Sequence, residues 1–242
     1  MKAFDIRWHC RQGTRTEDNR DHAGIGRRGD AMMAIVLDGA TSGTDSGRFA
    51  REIARMMVDW FVTAAVEVNA NTLVAQLRTT HATLAKAYRM DSASYVLLHL
   101  DVTQPALVLH AGDCLVGQRD AIGQTAWLLQ PHTLANALQM SVENLAKQEI
   151  RHKITRSFRS KRFMAPDLNS FALDDRPLLA ATDGFWAELS TDQQSAFLEG
   201  RLPSIAGERD DCGVLSILRN AGEPTAGVGG LHSPDTIYFR HG

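Results

Sequence analysis

The chain has 242 residues, 44% of them apolar and 22% charged, with a formal charge of -2. That composition supports a packed core and excludes disorder. Basic residues are scattered among acidic ones, so neither nucleic acid nor an acidic membrane surface is an expected partner.

Residues 3–10 alternate as a first strand, and residues 11–21 form a polar, charged loop that cannot be core. Two strands follow, over 22–25 and 31–37, joined around Gly29 and Asp30, with Asp38 at the end of the second. Phe49, Ile53, Met56 and Trp60 recur at spacings of four and three, which predicts an amphipathic helix from Ser46 to about residue 68. A second helix is expected after Asn71 as N-cap, with Leu73, Leu77, Leu84 and Tyr88 in phase as far as Arg89. The two helices should pack as an antiparallel pair over one sheet face.

Short β-rich runs over 95–100, 106–110, 115–118 and 125–129 read as a meander of antiparallel strands. Residues 131–170 read as an insertion on the rim, helical in phase over 134–150 and basic over 151–162. The basic run is read as solvated, against the alternative of a mobile flap that selects substrates. A strand over 178–181 ends at Asp183, Thr191 to Gln194 offers a capping box for a short helix through Leu198, and 214–218 and 236–239 supply closing strands. Few β-α-β alternations occur, so the expected class is α+β, antiparallel sheets covered by helices. With no linker, one domain over 1–242 is expected. The three cysteines, Cys10, Cys114 and Cys212, lack Cys-x-x-Cys spacing, the first residues hold no continuous apolar stretch of signal-peptide length, and no apolar run reaches membrane-spanning length. A cytoplasmic protein is expected.

Chemistry concentrates in carboxylates at strand ends. Ala34-Ile35-Val36-Leu37-Asp38-Gly39 and Pro177-Leu178-Leu179-Ala180-Ala181-Thr182-Asp183-Gly184 are apolar runs that end on the chain's two Asp-Gly pairs. Asp21, Asp113, Asp210 and Asp211 also flank strands. These are hard oxygen donors outside any His-rich or Cys-rich context, which favours Mg2+ or Mn2+ over zinc or copper. Two such ions would acidify a water and clamp a phosphoryl oxygen without a covalent nucleophile. The two Asp-Gly strand ends are therefore expected to meet.

The order Asn19-Arg20-Asp21, Val36-Leu37-Asp38-Gly39, Ala111-Gly112-Asp113-Cys114, Ala181-Thr182-Asp183-Gly184 and Asp210-Asp211-Cys212-Gly213-Val214-Leu215 resembles the metal-dependent serine/threonine protein phosphatases of the protein phosphatase 2C family (PPM), in its short bacterial form, from about residue 5 to 219. The resemblance implies a sandwich of two antiparallel sheets flanked by helical pairs (α-β-β-α) and hydrolysis of phosphoserine or phosphothreonine in proteins. It implies Asp38 as bridging metal ligand, Asp21 and the Gly39 carbonyl on one ion, and Asp183 and Asp210 on the other. Asp113, with Asp183, would hold a weaker third ion. The family's phosphate-gripping arginine falls at Thr16, and the adjacent Arg15 could take the role after a one-residue bulge. With Asp38 and Asp183, Arg15 completes the expected catalytic set. Ala40 stands where eukaryotic members have a histidine proposed as general acid. His132 is the one histidine near a family-like position. The implied partners are phosphoproteins opposed to a serine/threonine kinase, and the implied state is a monomer.

The rival reading is a phosphatase-like domain that binds a phosphoprotein or a regulatory partner without turnover, prompted by the altered turn at residues 40–42 and the displaced Arg15. An aspartyl-phosphate phosphotransferase of the haloacid dehalogenase type is excluded because Val36 stands where its nucleophile must be. No Gly-x-x-x-x-Gly-Lys loop is present.

Overall fold

The computed structural model describes residues 3–138, 141–202, 207–220 and 227–242. β1 (Ala3–Arg11) buries Phe4, Ile6, Trp8 and Cys10 on one face. β2 (Asp21–Arg28) and β3 (Ala31–Gly39) form the expected hairpin, turned at Gly29, whose φ of 57° suits a residue without Cβ. Along β3, Met32, Ala34 and Val36 join one buried cluster while Met33, Ile35 and Leu37 join the other. This period-two split marks a strand covered on both faces.

Helix α1 (Ser46–Thr63) lays Phe49, Ile53, Met57 and Phe61, all fully buried, on that second face. Burying each such side chain contributes about 2 kcal/mol. The helix stops five residues short of the expected 68, because Ala64 turns extended (ψ 127°). α2 (Ala70–Leu84) starts from Asn69 rather than Asn71: the Asn69 side chain accepts from the backbone of Asn71 and Thr72, and the Thr72 hydroxyl closes a capping box. It ends at Leu84, before the expected Arg89.

β4 (Ser92–Asp101) splits its side chains as β3 does, Val96, Leu98 and Leu100 to one cluster and Ala93, Tyr95 and Leu97 to the other. β5 (Ala106–Ala111) pairs with β4, whereas β6 (Leu115–Arg119) and β7 (Thr125–Trp127) pair in the other sheet. The expected meander is thus divided between two sheets, and the chain crosses over at Gly112, Asp113 and Cys114.

The insertion carries α3 (Val142–Leu145), flanked by 3-10 turns at Leu134–Leu138 and Glu149–His152, so the helical phase expected over 134–150 is broken. Residues 139 and 140 of that stretch lie outside the described residues. β8 (Phe158–Arg159) pairs with the start of β4, and β9 (Asp167–Phe171) adds an edge strand to β5. β10 (Leu178–Ala181) leads into the single turn α4 (Asp183–Trp186). α5 (Thr191–Leu198) is capped by Ser190 with Gln193, one residue earlier than expected. β11 (Cys212–Asn220) and β12 (Ile237–His241) complete the sheets.

The strand orders are β1-β11-β10-β6-β7 and β12-β2-β3-β4-β5-β9, with β8 beside β4. Among the described residues every pairing between these strands is antiparallel except β12 with β2, and Arg7 of β1 adds a single parallel bridge to Gly229. The α+β sandwich is as expected, with the long helical pair α1 and α2 on the larger sheet and the short α4 and α5 adding Phe185, Trp186 and Phe197 to the cluster between the sheets. No helix among the described residues is long and apolar enough to cross a membrane.

Candidate functional site

Strand alternation also places the carboxylates. Asp38 follows Met32, Ala34 and Val36 in phase, so it points into the layer between the sheets, at the point where β3 runs out of apolar residues. Across the ladder its neighbours are Asp21 on β2 and Ser94 on β4. From the facing sheet, β10 ends at Ala181 and the chain, passing Thr182, delivers Asp183, while the segment before β11 delivers Asp210 and Asp211. Asp113 enters from the crossover between sheets.

Asp38, Asp113, Asp183 and Asp210 line one cavity of about 520 Å³, together with Arg15, Ala40, Thr41, Ser92, Ser94, His152, Ser157 and Arg159. The two Asp-Gly strand ends therefore open into the same cleft. Asp21 lies deeper, 1% exposed, where its Oδ2 accepts from the Thr182 hydroxyl at 2.7 Å. Gly39 follows Asp38 on β3, and a Cβ there would lie 2.6 Å from the Ser46 carbonyl oxygen, so the close approach of β3 to the start of α1 requires glycine. Gly184 is equally confined: a Cβ would lie 1.9 Å from the Asp211 carbonyl oxygen.

These carboxylates repel one another. Burial, and after it the charges of Asp21, Asp183, Asp113 and Asp210, push Asp38 well above the usual carboxylate range. Asp113 is raised to about 7 by burial and by Asp183, against a Ser94 hydrogen bond that lowers it. Asp21 is raised by burial and then Asp211, and Asp210 by burial and then Asp183, with Arg15 opposing. Two oxygens, Oδ1 of Asp21 and Oδ1 of Asp113, are buried without a hydrogen-bond partner. Convergent oxygen donors, mutual repulsion and orphaned buried acceptors are what a site for hard divalent cations presents. The residues fit such ions.

Some of the supporting residues carried no recognisable signal. The Arg20 guanidinium donates to the carbonyls of Ala40 (2.8 Å), Thr41 (3.1 Å) and Gly43 (2.7 Å), fixing the turn after Asp38. Asp91 accepts from the Asp45 amide (2.9 Å) and the Ser46 hydroxyl (3.1 Å), tying that turn to β4. Asp211, one of the carboxylates that flank strands, is 5% exposed and turns to backbone rather than to the cleft: it accepts from the amides of Gly13 (2.7 Å) and Arg20 (2.7 Å), so it pins the 11–20 loop to β11. Arg15, not Thr16, lines the cleft, with Nη1 on Asp210 and Nη2 on Glu188 at 2.9 Å.

In the basic segment over 151–162, Lys153, Arg159, Lys161 and Arg162 are exposed as expected, and Arg151 is the exception. Arg151 is 7% exposed, and its Nη1 lies 2.6 Å from Asp183 Oδ2. A basic residue met without its partner reads as solvated, and the partner here is 32 residues away.

A separate grouping, His110, His132 and Asp167, is close enough to share an ion. His132 Nδ1 accepts the Gly112 amide (3.1 Å), which leaves its proton on Nε2, 2.9 Å from Asp167 Oδ2. A metal would have to take the nitrogen that this bond pattern protonates. His132 instead brackets the turn before Asp113, since its own amide also donates to the Gly112 carbonyl at 2.8 Å.

No protein-family model and no curated protein matches the sequence. Solved structures do match the fold. The serine/threonine phosphatase Stp1 from Staphylococcus aureus is 15% identical, with a TM-score of 0.74 over 89% of this chain and 94% of that one. The PPM Ser-Thr phosphatase MsPP from Mycobacterium smegmatis, solved with cacodylate, is 18% identical, with a TM-score of 0.70 over 88% and 97%. The catalytic domain of the serine/threonine phosphatase PstP, solved with two manganese ions, is 15% identical, with a TM-score of 0.66 over 90% and 99%. The fold is that of the bacterial PPM serine/threonine phosphatases.

Proposed function

We propose that the protein is a PPM-family phosphatase that hydrolyses phosphoserine or phosphothreonine in proteins with the help of Mn2+ or Mg2+. The observation that carries this reading is the convergence of Asp38, Asp113, Asp183 and Asp210, from both sheets, on one cleft. In this reading Asp38 would be shared by two ions; Asp21, through its unpartnered Oδ1, and the Gly39 carbonyl would help hold one, Asp183 and Asp210 the other, and Asp113 with Asp183 a third. When bound, such ions supply Lewis acidity towards water and towards the phosphoryl oxygens.

The chain's own groups do the rest. Arg15 brings a guanidinium to the cleft wall; with Nη1 held by Asp210 and Nη2 by Glu188, it would meet a phosphate oxygen through the N–H groups that those bonds leave over. Ser94 fixes the Asp113 carboxylate, and Arg20 and Asp91 hold the turn that closes one side of the cleft. With Ala40 in place of a histidine, the proton for the leaving serine or threonine oxygen comes from water or from His152, the histidine on the cleft wall. The manganese-bearing PstP structure supports the choice of ion.

The experiment is hydrolysis of p-nitrophenyl phosphate and of a phosphothreonine peptide in a metal-stripped preparation. The expected result is background turnover after chelation and recovery on adding Mn2+ alone. Turnover that survives chelation would rule out the metal mechanism. The non-catalytic reading has one observation in its favour: arginines already sit on Asp183 and Asp210. It predicts phosphopeptide binding without turnover at any Mn2+ concentration.

A further inference from the structure

Glu188 belongs to none of the motifs, yet it organises one wall of the cleft. Its Oε1 receives Nη2 of Arg15 at 2.9 Å and Nη2 of Arg151 at 3.4 Å, and its Oε2 accepts the Asp210 amide at 2.9 Å. Each arginine spends its other terminal nitrogen on a cleft carboxylate, Arg15 on Asp210 and Arg151 on Asp183. The result is one continuous ionic chain, Asp183 to Arg151 to Glu188 to Arg15 to Asp210. Asp38 and Asp113 have no such cation among the described residues.

The side chains of Arg151 and Asp183 are 8% and 7% exposed, so water screens their attraction little. A guanidinium does not lose its proton in a protein, so this neutralisation cannot be undone by titrating the arginine. It can be undone by another cation. Glu188 keeps a second hold on Arg151, so the guanidinium can leave Asp183 without leaving the cleft wall. Arg151 comes from the insertion, whereas Asp183 comes from the end of β10, so the contact joins the rim segment to the sandwich.

We propose that Arg151 is a built-in counter-cation for Asp183, tethered by Glu188 and displaced from that carboxylate when a divalent metal binds, so that the insertion sets the metal affinity of the site. The proposal rests on the phosphatase reading of this cleft. Two ligands compete for one carboxylate, and removing the internal one strengthens the external one.

The test is isothermal titration of the full chain with MnCl2 alone, comparing wild type, Arg151→Ala and Arg151→Lys. Arg151→Ala should bind Mn2+ roughly fivefold more tightly or better, the low end of ordinary coupling between ligands. It should also melt at a lower temperature than wild type when metal-free and gain more from saturating Mn2+. Arg151→Lys, which keeps a cation beside Asp183, should stay near the wild-type affinity. Should Arg151→Ala not fold, Arg151→Gln against Arg151→Lys makes the same neutral-versus-charged comparison. Equal or weaker Mn2+ binding by the neutral variant overturns the proposal. If wild type binds Mn2+ and hydrolyses phosphate esters but the neutral variant shows no gain, this proposal alone falls. If wild type neither binds Mn2+ nor hydrolyses, the phosphatase reading falls with it.

Discussion

Asp38→Asn should lower Mn2+-dependent hydrolysis of p-nitrophenyl phosphate by more than about 100-fold, the upper end of what is lost when a mere outer partner of a metal ligand is removed. The residue in question lies at the centre of the array, opposite Asp21 on one strand and Ser94 on the other, and no lysine or arginine pairs with it among the described residues. The same variant should fold normally and, in the absence of metal, should be more stable than wild type. The reason is that burial and four neighbouring carboxylates penalise its charge. Chemical denaturation in chelator measures the gain, and a loss of stability would show that Asp38 has a structural partner that this account lacks.

Asp183→Asn should abolish the same activity but move stability the other way. Removing this carboxylate leaves the Arg151 guanidinium buried with only Glu188 at 3.4 Å. A buried ion pair broken from one side costs a few kcal/mol, and with Glu188 partly compensating, a loss of about 2–3 kcal/mol is expected. The paired outcome is the informative one. Both substitutions silence the enzyme, yet metal-free Asp38→Asn melts above wild type and metal-free Asp183→Asn below it. If the two variants shifted in the same direction, the ionic chain through Glu188 would not be what holds Asp183.

Most of the sandwich could be read from residue patterns because alternation and amphipathic phase are local. The 32, 34, 36 and 33, 35, 37 split of β3 and the Phe49, Ile53, Phe61 face of α1 are visible in a few turns of chain. Boundaries were harder where two residues competed for one cap. Asn69 and Asn71 both suit an N-cap, and what decides for Asn69 is Thr72 three positions on; Ser190 with Gln193 presents the same spacing. β9 has no apolar alternation, with Leu168 exposed, because it is an edge strand held by its ladder to β5 rather than by burial. The carboxylates announced themselves by ending apolar runs. Arg151, Glu188 and the buried role of Asp211 did not, since each is defined by partners from other segments of the chain, and a charged side chain seen alone looks solvated.

The most direct measurement is a crystal grown metal-free, soaked in MnCl2 and examined for anomalous difference density at the manganese edge. Two peaks roughly 3.5–4 Å apart, bounded by Asp21, Asp38, Asp183 and Asp210, are the expected result. Density absent from that cleft, or confined to His110, His132 and Asp167, would contradict the account.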